Sequence, residues 1–174
     1  FWLKVRDDYK LKPEYINLES GYYNIIPTPT LNALHEHINR VNNQGSYYMR
    51  TEQWDNKKRM AEKLANLLGS TAKNVIITRN TTESLDMVIK GLDWKEGDEA
   101  VYADKDYGAM KIMFEQVSRR YNTVNKVVSI PNHPKSDEEI VELYANAITP
   151  KTKLLMVCHM INITGHILPI KKIC

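Results

Sequence analysis

Four short apolar runs lie after residue 74, and a segment with helical spacing of its apolar positions follows each of the first three. The runs are residues 75–78, 100–103, 127–130 and 154–157. Runs of this length predict buried strands, whereas the spacing of Met110, Phe114 and Val117 is typical of an amphipathic helix. Alternating strands and helices predict crossover connections, and therefore an α/β fold with a mostly parallel sheet between helices in three layers.

The part of the chain before residue 75 has a different pattern. Residues 1–28 predict an arm with one short strand at most, at 16–18. A helix is predicted from about Thr30, and a second one over 51–68 that ends at Gly69. The N-terminal part is therefore expected to be a helical arm that precedes the sheet.

Composition narrows the classes of function. The chain has 174 residues, of which 43% are hydrophobic and 26% charged, as in globular proteins. A net charge of +3 and the absence of a basic block argue against a nucleic-acid partner. No apolar run is long enough to span a membrane, so we expect no membrane partner and a cytoplasmic location by default. Cys158 and Cys174 have no disulfide or metal spacing, and neither do the histidines at 133, 159 and 166.

In parallel sheets, ligands bind beyond the carboxyl ends of the strands. Four segments follow the predicted strands: residues 79–82, 104–107, 131–133 and 159–165. In the first of these, Asn80 or Thr81 can cap a helix that has Glu83 in its first turn. The backbone N–H groups of a helix start, with the hydroxyls of Thr81 and Thr82, also suit a phosphate. An ordinary helix cap and a phosphate seat are both consistent with these residues.

The glycine patterns of dinucleotide-binding and P-loop proteins are absent, which disfavours both classes. The strand ends offer instead the hydroxyls of Thr81 and Thr82, an aromatic ring at Tyr107 and an amide at Asn162. Such a set would suit a flat, phosphorylated aromatic cofactor.

Five segments, taken together, resemble one known family. They are residues 16–21 (INLESG), 48–52 (YMRTE), 78–84 (TRNTTES), 106–107 (DY) and 162–170 (NITGHILPI). In this order they resemble the class V aminotransferases, the branch of fold-type I pyridoxal-phosphate enzymes that includes cysteine desulfurases and isopenicillin N epimerase-like proteins. The resemblance implies pyridoxal 5'-phosphate as the cofactor and a fold-type I large domain.

The resemblance also implies a role for each site residue. Thr81 and Thr82, with Asn80 beside them, would hold the phosphate, and this favours the phosphate seat over the plain cap. Tyr107 would stack on the pyridine ring, and Asn162 would face the phenolic oxygen. Tyr48 and Arg50 would line the mouth where the substrate enters.

Family members are longer than this chain, and the resemblance locates their remaining groups beyond Cys174. These groups are the aspartate that pairs with the pyridine nitrogen, the Schiff-base lysine and the arginine that binds the substrate carboxylate. We therefore expect residues 1–50 to be an arm with the first helix, and 51–174 to be the first part of the cofactor-binding domain. The family's interleaved sheet implies that the fourth strand lies between two strands outside the chain. This segment alone is expected to be inactive and to fold poorly.

The implied activity is chemistry at the α-carbon of an amino acid, a small-molecule substrate, by a homodimeric parent enzyme. Transamination, epimerisation and desulfuration all remain open, although the sequence Asn80-Thr81-Thr82-Glu83 favours the epimerase-like group over the desulfurases. Two alternatives remain: a catalytically dead binding or dimerisation remnant, and an unrelated nucleotide-binding α/β domain, which would bind a dinucleotide instead.

Overall fold

The computed structural model describes residues 1–12, 14, 16–19 and 23–174. The chain divides into two compact units, Phe1–Ile77 and Thr78–Cys174. The helices of the first unit are α1 (Trp2–Asp7), α2 (Thr28–Gln44), α3 (Ser46–Thr51) and α4 (Gln53–Leu68), followed by a 3-10 turn at Ala72–Asn74. No helix in the described part of the chain is long and apolar enough to cross a membrane. The predicted division after residue 50 stays a prediction.

The helices of the first unit end where the sequence indicates. α2 stops at Gly45, whose φ of 52° is readily adopted by glycine. α4 stops at Gly69 in the left-handed conformation, and the Ser70 N–H then donates to the Ala65 carbonyl at 2.9 Å. Both predicted helices are confirmed. The prediction for the arm missed α1, which is held by local bonds such as Val5 N–H to the Phe1 carbonyl at 3.1 Å.

The predicted strand at 75–78 is wrong. These residues are not in a strand, and Ile76 is 78% exposed. A β-strand is stable only when a neighbouring strand takes up its backbone hydrogen bonds, and none of the described strands pairs with this segment. The apolar run has the residue types of a strand, but the run alone does not show whether a neighbouring strand is available to pair with it.

The second unit has the alternating pattern that the sequence predicts. Its elements are α5 (Thr81–Gly91), β1 (Glu99–Ala103), α6 (Gly108–Tyr121), β2 (Val124–Val128), α7 (Asp137–Ala147), β3 (Thr152–Leu155) and α8 (Ile170–Ile173). The strands form a parallel sheet in the order β2–β1–β3. The α/β fold is thus confirmed, with β2 beginning three residues and β3 two residues earlier than predicted.

The order of the strands corrects one further expectation. β3, the fourth predicted strand, was expected to lie between two strands outside the chain, but it pairs directly with β1. Glu99 lies opposite Val124 on one side and Thr152 on the other, so β1 is the central strand. Strand adjacency is decided by packing of the crossover helices, which short sequence patterns do not report.

The core has two parts because β1 is buried on both faces. One part contains Val101, Ala103, Val128, Ile130, Ile140, Tyr144, Ile161 and Leu168. The other contains Ile89, Trp94, Ala100, Tyr102, Met110, Phe114 and Val117. Alternate residues of β1 belong to opposite parts, with α7 covering one face and α5 and α6 the other. The predicted three layers are therefore present.

The amino end of the sheet is fixed by the buried carboxylate of Glu99. It accepts hydrogen bonds from the hydroxyls of Thr149 and Thr152, and Lys126 Nζ lies 3.5 Å from it. The hydroxyl of Thr149, fifty positions along the chain, is the largest cause of the lowered pKa of Glu99. At the start of α7, Ser136 Oγ accepts from the Glu139 N–H at 3.3 Å and so caps the helix.

Replacing Phe114 with alanine should remove the main packing partner of Tyr102. Phe114 is fully buried, and the two rings stack with centroids 4.6 Å apart. We expect Phe114→Ala to lower the free energy of unfolding by about 3–5 kcal/mol, measured by chemical denaturation. Ile112→Ala on the exposed side of the same helix is the control, with an expected change within about 0.5 kcal/mol. Equal losses in the two variants would contradict the assigned core.

Candidate functional site

The turn before α5 is held by a cap and an ion pair. Asn80 is the N-cap residue, and its Oδ1 accepts the Glu83 N–H at 2.9 Å. The Glu83 carboxylate reaches back and accepts the Arg79 N–H at 2.7 Å, while the Arg79 guanidinium pairs with it at 3.1 Å. This is a side-chain N-cap, to which a second bond is added from the N–H of the residue before the cap, together with a cation. The cap interpretation of Asn80 is therefore correct.

Hydrogen bonds from two hydroxyl groups also stabilise this turn. The Oγ atoms of Thr78 and Ser84 lie 2.5 Å apart, and Thr78 Oγ1 also donates to the Asn80 carbonyl at 3.1 Å. These bonds fix the backbone that leads into the helix. They leave the next two residues, Thr81 and Thr82, outside the network.

The backbone N–H groups of Thr81 and Thr82 have no acceptor among the described residues. They are the first two amides of an 11-residue helix, where the helix dipole favours negative charge. Thr81 is exposed and Thr82 half-buried, so neither residue is enclosed in the core. The turn can thus cap the helix through Asn80 and still bind an anion through the two threonines.

The carboxyl ends of β1 and β2 are joined by Asp104, which the sequence did not single out. Its two carboxylate oxygens accept from Ile130 N–H and from the Ser129 hydroxyl, each at 3.0 Å. Lys111 Nζ donates to the Asp104 carbonyl at 2.8 Å. An acidic residue directly after a buried strand was the available signal for this link.

Asp106 fixes the loop that carries Tyr107. It is only 4% exposed, and its Oδ2 accepts the Ala103 N–H at 2.7 Å. Its Oδ1 is buried without a hydrogen-bond partner among the residues that the structure describes. Burial raises the pKa of this carboxyl. Tyr107 follows as the exposed N-cap residue of α6.

Beyond β3, a turn presents Asn162. The Gly165 N–H donates to the Ile161 carbonyl at 2.8 Å with Gly165 at a φ of 71°, and Met160 bridges to Ile167. Asn162 is half-buried in this turn. Its Nδ2 is a buried donor with no acceptor in the described parts of the chain. A side-chain amide in this state has the capacity to bind a ligand oxygen.

The structure brings four predicted site residues, Thr81, Thr82, Tyr107 and Asn162, into the same compact unit, 78–174. Their roles as cofactor contacts stay predictions, as does that of Asn80, whose side-chain oxygen is engaged in the cap.

The two residues predicted for the substrate mouth lie in the other unit, on α3. There the Tyr48 hydroxyl accepts from Asn56 Nδ2 at 3.1 Å and its ring lies below the Arg40 guanidinium, while Arg50 is exposed. Ser20 and Gly21 of the first resembling segment lie outside the described residues.

An open hollow of about 570 Å³ lies beside α8, between the start of α7 and the segment after β3. It is lined by Asp137, His159, Leu168, Pro169, Ile170, Lys171 and Lys172. Lys172 is paired there with Asp137 and Glu138 at 3.1 and 2.7 Å. None of its lining residues was predicted as a cofactor contact.

The sequence profile of the family described as "Aminotransferase class-V" matches residues 24–174. The chain belongs to the class V aminotransferase family. Its relatives include the isopenicillin N epimerase of Amycolatopsis lactamdurans, which is 25% identical over 99% of this chain. Another is a probable cysteine desulfurase of Methanothermobacter thermautotrophicus, which is 23% identical over 97% of this chain.

Solved structures agree on the fold. The chain superposes on a mutant of C-DES with glycine covalently linked to the PLP cofactor, with a TM-score of 0.72, 24% identity and 88% of this chain covered. The chain spans less than half the length of the proteins it matches: 44% of the epimerase, 42% of the desulfurase and 40% of the C-DES chain. The family resemblance in the sequence is thus confirmed.

Asp106→Asn should change how stability depends on pH. The raised pKa means that the folded chain holds the Asp106 proton more tightly than the unfolded chain does, so Asp106 favours folding at low pH. This contribution is lost as pH rises from the ordinary value of 3.8 through the folded pKa. Asparagine keeps an acceptor for the Ala103 N–H but has no charge to bury.

We therefore expect the free energy of unfolding of Asp106→Asn, relative to the wild type, to increase between pH 4 and pH 7. Urea denaturation at both pH values measures this difference. Parallel pH profiles for the two proteins would contradict a buried carboxyl at this position.

Proposed function

We propose that the protein containing this chain is a pyridoxal-phosphate enzyme that acts on amino acids, and that this chain supplies the phosphate and ring contacts. Family membership supports the proposal, as do the names of its relatives, an epimerase and a probable cysteine desulfurase. One solved neighbour has glycine linked to its PLP cofactor. The proposal covers residues 51–174 as part of a cofactor-binding domain and 1–50 as its arm.

The observation that carries the proposal is the pair of open amides at Thr81 and Thr82. Two adjacent N–H donors, two hydroxyls and the positive end of a helix form a seat that fits a dianionic phosphate. The bonds among Thr78, Asn80 and Ser84 fix this turn in advance, so little conformational freedom would be lost on binding.

Asn162 and Tyr107 fit the parts of the same cofactor beyond its phosphate, namely the phenolic oxygen and the pyridine ring. The buried Nδ2 of Asn162 has no acceptor within the described ranges of the chain, and a phenolic oxygen would provide one. Tyr107 lies at the start of α6, where Asp106 fixes the loop, and its ring would stack on the pyridine. Asn80 would contribute indirectly, by holding the Glu83 N–H and so shaping the turn.

When bound, pyridoxal phosphate supplies an electron sink for charge that develops at the α-carbon of an amino acid. The residues of this chain would bind and orient it. Tyr48 and Arg50 are proposed for the mouth where the substrate enters, and a homodimer for the whole protein. Among transamination, epimerisation and desulfuration, the similarity to an isopenicillin N epimerase over 99% of this chain supports the epimerase-like group.

Binding of pyridoxal phosphate tests the proposal. In the protein that contains this chain, stripped of cofactor, we expect pyridoxal phosphate to bind more tightly than pyridoxal, which lacks the phosphate. Thr82→Val should weaken pyridoxal phosphate about tenfold by removing a hydrogen bond to a charged group, and should leave pyridoxal unaffected. Equilibrium dialysis measures both dissociation constants.

Thr71→Val is the matched control, because Thr71 is an exposed threonine of the other unit. It should bind both compounds like the wild type. Equal affinity of the wild type for the two compounds, or binding of a dinucleotide in preference to both, would refute the proposal.

A further inference from the structure

We propose that Arg79 is a positioning residue for the phosphate seat, because it holds the carboxylate of Glu83 away from the seat and compensates its charge. This inference rests on the proposed function, since it concerns how the same seat accepts an anion. It assigns a role to a residue pair outside the predicted cofactor contacts.

The geometry of the pair is well defined although Arg79 is largely exposed. The Arg79 side chain is 86% exposed and that of Glu83 30%. Three parts of Arg79 contact the one carboxylate: its N–H at 2.7 Å, Nη2 at 3.1 Å and Nε at 3.3 Å from both oxygens. These contacts hold the Glu83 carboxylate against Arg79, the residue that precedes the N-cap Asn80.

The position of Glu83 makes this arrangement necessary. Glu83 is the third residue of α5, directly after Thr82, so its carboxylate lies in the first turn where the helix dipole attracts anions. A free carboxylate there would compete with a phosphate for the same positive field and would repel it. The contacts with Arg79 lower the pKa of Glu83 and raise that of Arg79, so both groups remain charged at neutral pH.

The Arg79–Glu83 pair therefore allows Glu83 to stabilise the start of α5 without repelling the phosphate. Glu83 completes the cap through the Arg79 N–H, and the guanidinium cancels its charge. The effect should be specific for the phosphate group, because pyridoxal without phosphate brings no negative charge to the seat. It should also diminish with salt, because both side chains are accessible to solvent.

Three variants test this role: Arg79→Gln, Glu83→Gln and the double variant. Arg79→Gln keeps the backbone N–H but leaves the carboxylate charge uncompensated. We expect it to weaken pyridoxal phosphate about two- to fivefold at low ionic strength and to leave pyridoxal unchanged. Glu83→Gln keeps an acceptor for the cap and should bind pyridoxal phosphate at least as tightly as the wild type. The double variant should restore affinity to within about twofold of the wild type, because the repelling charge is gone.

Arg119→Gln is the matched control, since it removes one exposed positive charge near the end of α6. It should bind pyridoxal phosphate like the wild type. That result would show that the loss in Arg79→Gln comes from the Arg79–Glu83 pair and not from the lower net charge of the protein. Thermal denaturation without ligand compares the folding of all variants. In about 0.5 M salt the difference between Arg79→Gln and the wild type should be nearly abolished.

The outcomes distinguish this inference from the proposed function. A wild type that binds pyridoxal phosphate no better than pyridoxal refutes the proposed function, and this inference with it. A wild type that prefers pyridoxal phosphate, with Arg79→Gln binding equally well, overturns the inference alone. A loss in Arg79→Gln that the double variant fails to restore shows that Arg79 contacts the ligand itself, and also overturns it.

Discussion

All five residues of β1 are buried, and a parallel strand can be buried on both faces only when helices lie on both sides of its sheet. Ala100 and Tyr102 pack under α5 and α6, whereas Val101 and Ala103 pack under α7. This two-sided burial imposes the crossover connections, and the crossovers bring the starts of the helices to the carboxyl end of the sheet. The positions of Asp104, Asp106 and Tyr107, which directly follow β1, depend on it.

The two ends of the sheet differ in how their polar groups are satisfied. At the amino end, the Glu99 carboxylate is fully occupied by hydroxyls of Thr149 and Thr152 and by Lys126. The segments that follow the strands, and the start of α5, retain donors without acceptors among the residues that the structure describes: the amides of Thr81 and Thr82 and the Asn162 side chain. The Asn162 donor is buried, and a buried donor without an acceptor costs stability. Such groups are expected where a ligand completes the bonding, as in the proposed cofactor site.

The sequence predicted those parts that depend on local chemistry. The period of the apolar residues located α6, Gly69 ended α4, and Asn80, one of two predicted caps, began α5, because each is decided within a turn or two of helix. Pairing between distant strands was not predictable in the same way. Residues 75–78 have the composition of a strand but no neighbour among the strands that the structure describes, and the contact of β3 with β1 depends on packing over many residues. Asp106 was noted only as part of the Asp106-Tyr107 pair, and Asp104 was missed, because a carboxylate that follows a strand looks like an ordinary loop residue until its hydrogen bonds are seen.

The central position of β1 has a consequence for synthesis. The strand leaves the ribosome before β2 and β3, and its bonds to Thr149 and Thr152 span at least fifty residues. At translation rates of 5–20 residues per second, β3 emerges roughly 3 to 10 seconds after β1. Both edges of β1 stay unpaired until β2 emerges, and one edge stays unpaired until β3 does, so nascent chains of this protein depend on slow, long-range closure and are vulnerable to association with one another.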